Sequence, residues 1–504
     1  MTKETRMKKP GKVFYISIII SLIFVLWGAI SPEQLNNVAG KTFSFLIQQF
    51  GWFYLITSFL FLVATLYFAF SRFGKIRLGK DDDRPEYSLL TWFGMLFSAG
   101  MGIGLVFYGV AEPIMHYYNP PNAEPETFEA ARQAMRYSFF HWGLHPWAIY
   151  SIVALSLAYF QFRKEKKGLI SSTFYPLIGD RVNGPIGKAI DILAVFATIF
   201  GVATSLGLGT LQVNGGLTYV FDLPNTLGIQ LLIIAVVTIL YMLSAQTGLD
   251  RGIKILSNVN VATATFLMVF LIMVGPTAHI LNVFTQTLGS YLQNIIAMSF
   301  RVSAFQHSPW VGSWTLFYWA WWIAWSPFVG SFIARVSKGR TIREFVIGVL
   351  LVPSIFGFLW FSTFGGAALD KLMGGQQVIG EVVNQDMTKA LFVTLEQFPF
   401  GTILSIIAIV LIITFFITSA DSATFVLGMM TSHGTLNPSN KVKLIWGVIQ
   451  SSIAAILLYF GGLDALQMAS IITAFPFAII MLLMTYSLYT ALKEEGSKKE
   501  RKKV

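Results

Sequence analysis

Apolar runs of about 20 residues, each long enough to cross a hydrocarbon core roughly 30 Å thick, recur along the whole of this chain. Twelve can be marked, near 13–31, 51–71, 88–110, 138–161, 189–212, 228–245, 259–282, 312–334, 343–368, 401–425, 442–461 and 468–491. Lipid offers no hydrogen-bond partner to an open backbone, so runs of this length must fold as helices. With 55% hydrophobic and 12% charged residues over 504, no stretch between the runs is long enough for a soluble domain. The expected fold is one all-α integral membrane unit of twelve transmembrane helices.

The net charge of +11 would suit a nucleic-acid partner, but its distribution points elsewhere. With a cytoplasmic N-terminus, thirty of the 36 Lys and Arg fall in inside segments, and the opposite orientation inverts that ratio. The positive-inside rule therefore places both termini in the cytoplasm, and the basic excess is topology, with no nucleic acid implied. The tail "KEEGSKKERKKV" can in addition touch anionic lipid, at about 1 kcal/mol per basic residue. "LWGAISPEQL" is a poor small-residue cleavage site, so the first span is expected to stay. The chain has no cysteine, no HExxH and no Gly-x-Ser-x-Gly, which leaves a membrane enzyme without a nucleophile–base pair or a metal set. No enzyme activity and no cofactor are expected.

Two spans carry residues that weaken helices. The third holds "SAGMGIGLVFYG", with Gly100, Gly102 and Gly104 at alternate positions. The eighth holds "AWSPFVGSF", where Pro327 removes a backbone donor and Gly330 follows. Small residues often serve close helix packing, but alternate glycines lack GxxxG spacing and invite unwinding. The two spans stand five apart, where an inverted five-helix repeat would place the first helix of each half, and such paired breaks point to a transporter's midplane site.

The eighth span also reads "WTLFYWAWWIAW", five tryptophans in twelve residues. On a helix Trp314, Trp321 and Trp325 fall within about 40° of one another, with Trp322 roughly 60° from Trp325. A second cluster, "HWGLHPWAIY", offers Trp142, Trp147 and Tyr150 around Pro146. One such stripe is ordinary core packing. Two beside broken helices suggest a box for a cation that cannot donate hydrogen bonds, each ring contributing about 0.5–2 kcal/mol. A methylated ammonium fits an uncharged cage, whereas a carboxylate at bilayer depth would need costly desolvation. Glu112, Asp421, His141 and His145 are read as hydrogen-bonding residues between helices, with no acid visible in sequence beside the two histidines.

These segments resemble the betaine/carnitine/choline transporter (BCCT) family. "WTLFYWAWW" with "SPFVGSFIARVSKGRTIREF" is similar to its signature, and "GMGIGLVFYGVAEP", "FHWGLHPWAIY" and "FFITSADSATFVLG" match further family segments. The resemblance spans nearly the whole chain and is nearest to sodium-coupled glycine betaine transporters of Gram-positive bacteria. It implies a multi-pass protein of the bacterial cell membrane, with a LeuT-type inverted repeat in spans 3–7 and 8–12. The corresponding divisions are a basic N-terminus (1–12), two extra spans (13–86), a first repeat (87–283), an interface-helix region (284–309), a second repeat (310–491) and a basic tail (492–504). A homotrimer is implied too.

By the same resemblance, substrate would meet Trp142, Trp147, Tyr150, Trp321, Trp322 and Trp325, with Gly100, Met101, Gly102 and Gly104 beside it. Phe107 and Phe328 would gate the pathway. Sodium, the coupling ion, would be held by Ser98, Met101, Phe415, Thr418 and Ser419. A second family site uses two threonines, of which Thr198 matches one while the other position reads Val202. The implied activity is sodium-coupled symport of glycine betaine and related trimethylammonium compounds for osmoprotection. Sodium-independent carnitine/betaine exchange and choline transport are the alternatives within the family. Exchangers carry a basic side chain near the sodium site, and the fifth span has none; choline-selective members tend to carry Asp where this chain has Gly104.

Overall fold

A computed structural model describes residues 10–100, 102–246, 250–305, 308–435 and 437–501, the side chains of 97–100, 246, 250–254 and 497–501 excepted. Seventeen α-helices are formed among the described residues. They are α1 (Lys12–Ile30), α2 (Pro32–Phe70), α3 (Leu89–Gly100), α4 (Ile103–Tyr118), α5 (Phe128–Trp142), α6 (Leu144–Ala158), α7 (Tyr175–Ile178), α8 (Pro185–Phe221) and α9 (Leu227–Gln246). There follow α10 (Asp250–Val274), α11 (Thr277–Ser299), α12 (Phe317–Val336), α13 (Ile342–Met373), α14 (Val378–Gln385), α15 (Ala390–Leu395), α16 (Gly401–Thr431) and α17 (Asn440–Arg501). Among these residues the only strand-like pairing is a single bridge between Arg77 and Thr341.

The all-α membrane class follows from how apolar surface is distributed. Nine helical stretches among the described residues are long and apolar enough to cross a bilayer. Ile19, Ile23 and Leu26 on α1, and Leu232, Ile239 and Leu243 on α9, all stand more than half exposed. In water that surface would aggregate; against lipid tails it is the ordinary outer face. The interior is built around α8, which packs against α16 and α17, while α12 packs against α6, α8 and α17.

Spans three and eight, both expected to break, behave differently. The third is interrupted where expected: α3 ends at Gly100 and α4 restarts at Ile103 after an extended Gly102. The eighth is not broken at Pro327, which lies inside a continuous α12. The physical reason is local. Proline leaves the carbonyl four residues earlier without its N–H partner, and the Ser326 hydroxyl donates to that carbonyl, on Ile323, at 2.7 Å. The irregularity of this span lies instead at its start, where Gly312–Leu316 form a π turn.

The fourth span is split, but at Gly143 rather than Pro146. Thr127 caps α5, its hydroxyl accepting from the Ala130 amide, and α5 runs to Trp142. Gly143 then leaves helical geometry and Pro146 falls in the first turn of α6, where a missing N–H is harmless. Two boundaries also move. Pro276 separates α10 from α11, so the helix expected near 284 starts at Thr277. Gly462, at φ 56°, kinks α17 between the two last expected spans.

One end of the bundle gathers the basic segments. Arg163 donates to the carbonyls of Arg77 (3.2 Å) and Gly79 (2.7 Å), to Asp81 (2.8 Å) and to Glu495. Tyr159 and Lys164 each reach Glu495 at 2.7 Å. The loop before α3, the end of the fourth span and the end of α17 therefore share one side.

Candidate functional site

Three structural irregularities meet in one place: the extended Gly102, the Gly143 split and the indole-rich start of α12. Between them lies a cavity of about 20 Å³ lined by Gly102, Gly104, Trp142, Tyr150, Trp321, Trp322 and Trp325, together with Ile103, Leu105, Ser205 and Ser419. The Trp321 and Trp322 rings stack at 4.9 Å and 14°. Trp142 stands edge-on to Trp322 at 4.9 Å and 77°, and Tyr150 edge-on to it at 6.1 Å and 79°. The walls come from α5, α6 and α12, and none of the lining residues carries a formal charge. The volume suits about one water molecule, so a trimethylammonium group enters only if the rings part.

Each indole is fixed by its own N–H. Trp321 donates to Ser205 Oγ (3.2 Å), Trp325 to the Gly201 carbonyl (2.7 Å), Trp322 to the His141 carbonyl (3.1 Å) and Trp142 to Glu112 Oε2 (2.9 Å). These bonds hold ring planes between helices, which α-helical spacing alone cannot do. Gly104 is there for close approach: a Cβ would lie 2.5 Å from Trp321 Cη2 and 3.0 Å from Trp142 Cη2. Any side chain at this position, Asp included, therefore displaces the cage before its charge matters.

Not every expected cage residue takes part. Trp147 stands edge-on to Tyr150 at 5.5 Å and does not line the cavity. Trp314 falls in the π turn and faces His116 at 4.4 Å, off the stripe expected from regular helical spacing. Gly100 contributes backbone to α3, while its environment, the Ser98 side chain and all of Met101 lie outside the described residues. Phe107 is buried against Tyr108, and Phe328 packs edge-on to Trp325 at 5.4 Å. Ser205 enters the lining from α8, and nothing in its local sequence signals that role.

Beside the cage is a feature that the sequence reading missed. Glu112, fully buried on α4, has Oε1 2.6 Å from His141 Nδ1 and 3.2 Å from His116 Nε2. Its Oε2 accepts from Trp142 Nε1 and from the Tyr318 hydroxyl. His141 Nε2 lies 2.9 Å from Thr315 Oγ1. The histidine does have a paired acid, brought from a separate helix. The carboxylate and both imidazoles lie within 4.8 Å of one another, a spacing open to a metal ion. Ligand atoms on a metal with bonds of roughly 2.0 Å stand about 3.3 Å apart, so the 2.6 Å contact is a hydrogen bond's. His145 makes the interhelical contact expected of it, stacking on Trp319 at 5.2 Å with Nε2 2.9 Å from Ser299 Oγ. Asp421 accepts from Ser244 at 2.7 Å.

The oxygen donors assigned to sodium are arranged differently. Thr418 donates along its own helix, to Thr414 and Phe415 carbonyls at 3.0 and 3.2 Å, and accepts from Asn260 Nδ2 at 3.2 Å. Asn260 is buried and its Oδ1 has no hydrogen-bond partner. An unpartnered amide oxygen beside hydroxyl and carbonyl oxygens suits a hard cation, so the described part of the first set, Thr418 and the Phe415 carbonyl, is compatible with sodium. The second is not: Thr198 bonds back to Ala194 at 2.8 Å, and Val202 offers no oxygen.

Residues 12–497 match the model of the betaine/carnitine/choline family transporters (BCCT). The chain is 58% identical over 492 residues to the glycine betaine transporter OpuD of Bacillus subtilis (strain 168), covering 97% of this chain and 96% of that protein. It is 51% identical over 490 residues to an ectoine/hydroxyectoine transporter of Virgibacillus pantothenticus, covering 97% of each. It is 39% identical over 494 residues to a high-affinity choline transport protein of Escherichia coli (strain K12), covering 97% of this chain and 73% of that one.

Proposed function

The chain belongs to the betaine/carnitine/choline transporter family, a transporter of the bacterial membrane and not an enzyme, and we propose that it imports glycine betaine by sodium-coupled symport. The observation that carries the substrate class is the cage itself, five aromatic side chains around one cavity with no formal charge in its lining. Rings on several sides hold a quaternary ammonium by its face-on attraction to indole and phenol, and the cost of desolvating a permanent counterion in the lining is avoided. The cavity is too small for the substrate as it stands, so binding is coupled to ring movement. Phe107 and Phe328 would act as gates on either side in an alternating-access cycle.

Sodium would sit at Thr418, Ser419 and the Phe415 carbonyl, joined by Ser98 and Met101 from the third span. One ion entering down about 100 mV and a tenfold gradient supplies roughly 3.7 kcal/mol, enough for several-hundredfold accumulation. The missing oxygen at Val202 favours one sodium over two. The broader reading includes twelve spans with an inverted repeat, cytoplasmic termini, a basic tail against anionic lipid, a homotrimer and a role in osmoprotection.

Choline import is the second reading, favoured by the 39% identity to a choline transport protein. The test is radiolabelled betaine uptake into proteoliposomes with sodium replaced by potassium, and with unlabelled choline, ectoine and carnitine as competitors. Sodium-dependent uptake displaced best by unlabelled betaine is the expected result. Uptake indifferent to sodium rejects symport, and stronger displacement by choline reassigns the substrate.

A further inference from the structure

We infer that Glu112 positions the aromatic cage and sets its preference between a net cation and a zwitterion. The inference rests on the betaine-transport reading and goes beyond it, because Glu112 is outside the cavity lining. A carboxylate offers about four lone-pair sites, and all four are taken here: His141 and His116 on Oε1, Trp142 and Tyr318 on Oε2. That saturation is what makes a fully buried acid tolerable at this depth.

The donors are not a random packing set. Trp142 is a wall of the cage, and Tyr318 packs on two walls, stacked on Trp322 at 6.0 Å and edge-on to Trp142 at 5.6 Å. The carbonyl of His141 in turn receives the Trp322 indole. Two adjoining walls, Trp142 and Trp322, are thus anchored to one carboxylate through α4, α5 and α12. An indole N–H donated to an ionised acceptor is a charge-assisted bond, which fixes the ring plane. It also pushes electron density toward the ring face that would meet the ammonium, strengthening the cation–π contact. The acid therefore acts through Trp142 on a ligand it does not touch. Its field favours choline, a net cation, more than betaine, whose own carboxylate is repelled.

A double-mutant cycle tests this, with betaine and choline affinities measured by calorimetry on wild type, Glu112→Gln, Trp142→Phe and the double variant. Glu112→Gln should weaken betaine about fivefold and choline at least a further fivefold, the screened Coulomb difference expected one ring away. Trp142→Phe keeps a π face but drops the N–H, so once Glu112→Gln is already in place it should cost little more. Tyr318→Phe removes a competing donor from Oε2 and leaves the charge. It should move selectivity the opposite way, toward choline, and it serves where Glu112→Gln does not yield monodisperse protein. Equal losses for both ligands, additive losses in the cycle, or a Tyr318→Phe shift toward betaine each overturn the inference while leaving the transport reading intact. A wild type that binds neither ligand overturns both.

Discussion

The cage and the sodium donors are built on opposite principles, though they share one cavity through Ser419. In the cage every lining indole donates across to another helix: Trp321 to α8, Trp325 to α8, Trp322 and Trp142 toward α5 and α4. In the oxygen set proposed for sodium the Thr418 hydroxyl donates within its own helix, as Thr198 does on α8. The first arrangement tethers each indole by its N–H to another helix, so a ligand must move rings against those bonds to enter. The second leaves its oxygens' remaining lone pairs to be gathered by whatever cation comes. A tethered aromatic wall and an adaptable oxygen set would respond differently to mutation, and that difference can be measured.

The largest effect belongs to the wall. Trp322→Ala should weaken betaine binding by roughly 10- to 100-fold, and Trp322→Phe far less because it keeps a π face. Calorimetric titration separates the two, and an alanine variant with wild-type affinity removes Trp322 from the site. Next comes Gly104→Ala. With Trp321 2.5 Å from the added Cβ, the cage must shift, at about 1–3 kcal/mol for overpacking and so near tenfold in affinity for betaine and choline alike. This sharpens the reading of Gly104→Asp, whose selectivity change counts only relative to the alanine variant. An alanine variant with unaltered affinity for both would mean the rings are softer than the comparison holds.

How much of this was legible in the sequence follows from the same contrast. Indoles announce themselves by type, so Trp142, Tyr150, Trp321, Trp322 and Trp325 could be read from two short motifs. Glycines at alternate positions marked the real break at Gly102. Pro327 misled because a neighbouring serine repairs the carbonyl it leaves open, a compensation visible only once Ser326 is seen reaching Ile323. The split at Gly143 was hidden by the more conspicuous Pro146. The Glu112 cluster draws on residues 112, 116, 141, 315 and 318, and no window of sequence holds those side chains together. Burial of a carboxylate among imidazoles is a tertiary fact.

Smaller effects are expected on the ion side. Thr418→Ala combined with Ser419→Ala should raise the sodium concentration for half-maximal uptake several-fold, since two of about five oxygens go and carbonyls remain. Uptake measured across a sodium series decides it, and an unchanged half-saturation point would place the ion elsewhere. Thr198→Ala should be the mildest, less than about twofold in sodium dependence, because its hydroxyl already serves Ala194 and its partner position is a valine. A large effect there would restore a second sodium and weaken the one-ion stoichiometry.

The central claim is that an uncharged aromatic box selects a fully methylated ammonium. The direct measurement is the affinity of purified protein for glycine betaine, dimethylglycine, sarcosine and glycine, titrated in that order at fixed sodium. Each methyl removed adds an N–H for which the rings offer no lone pair, while the carboxylate end of the ligand stays constant. Affinity should fall at every step, most steeply between the trimethyl and dimethyl compounds. Equal affinity across the series, or tighter binding of glycine, would contradict the account.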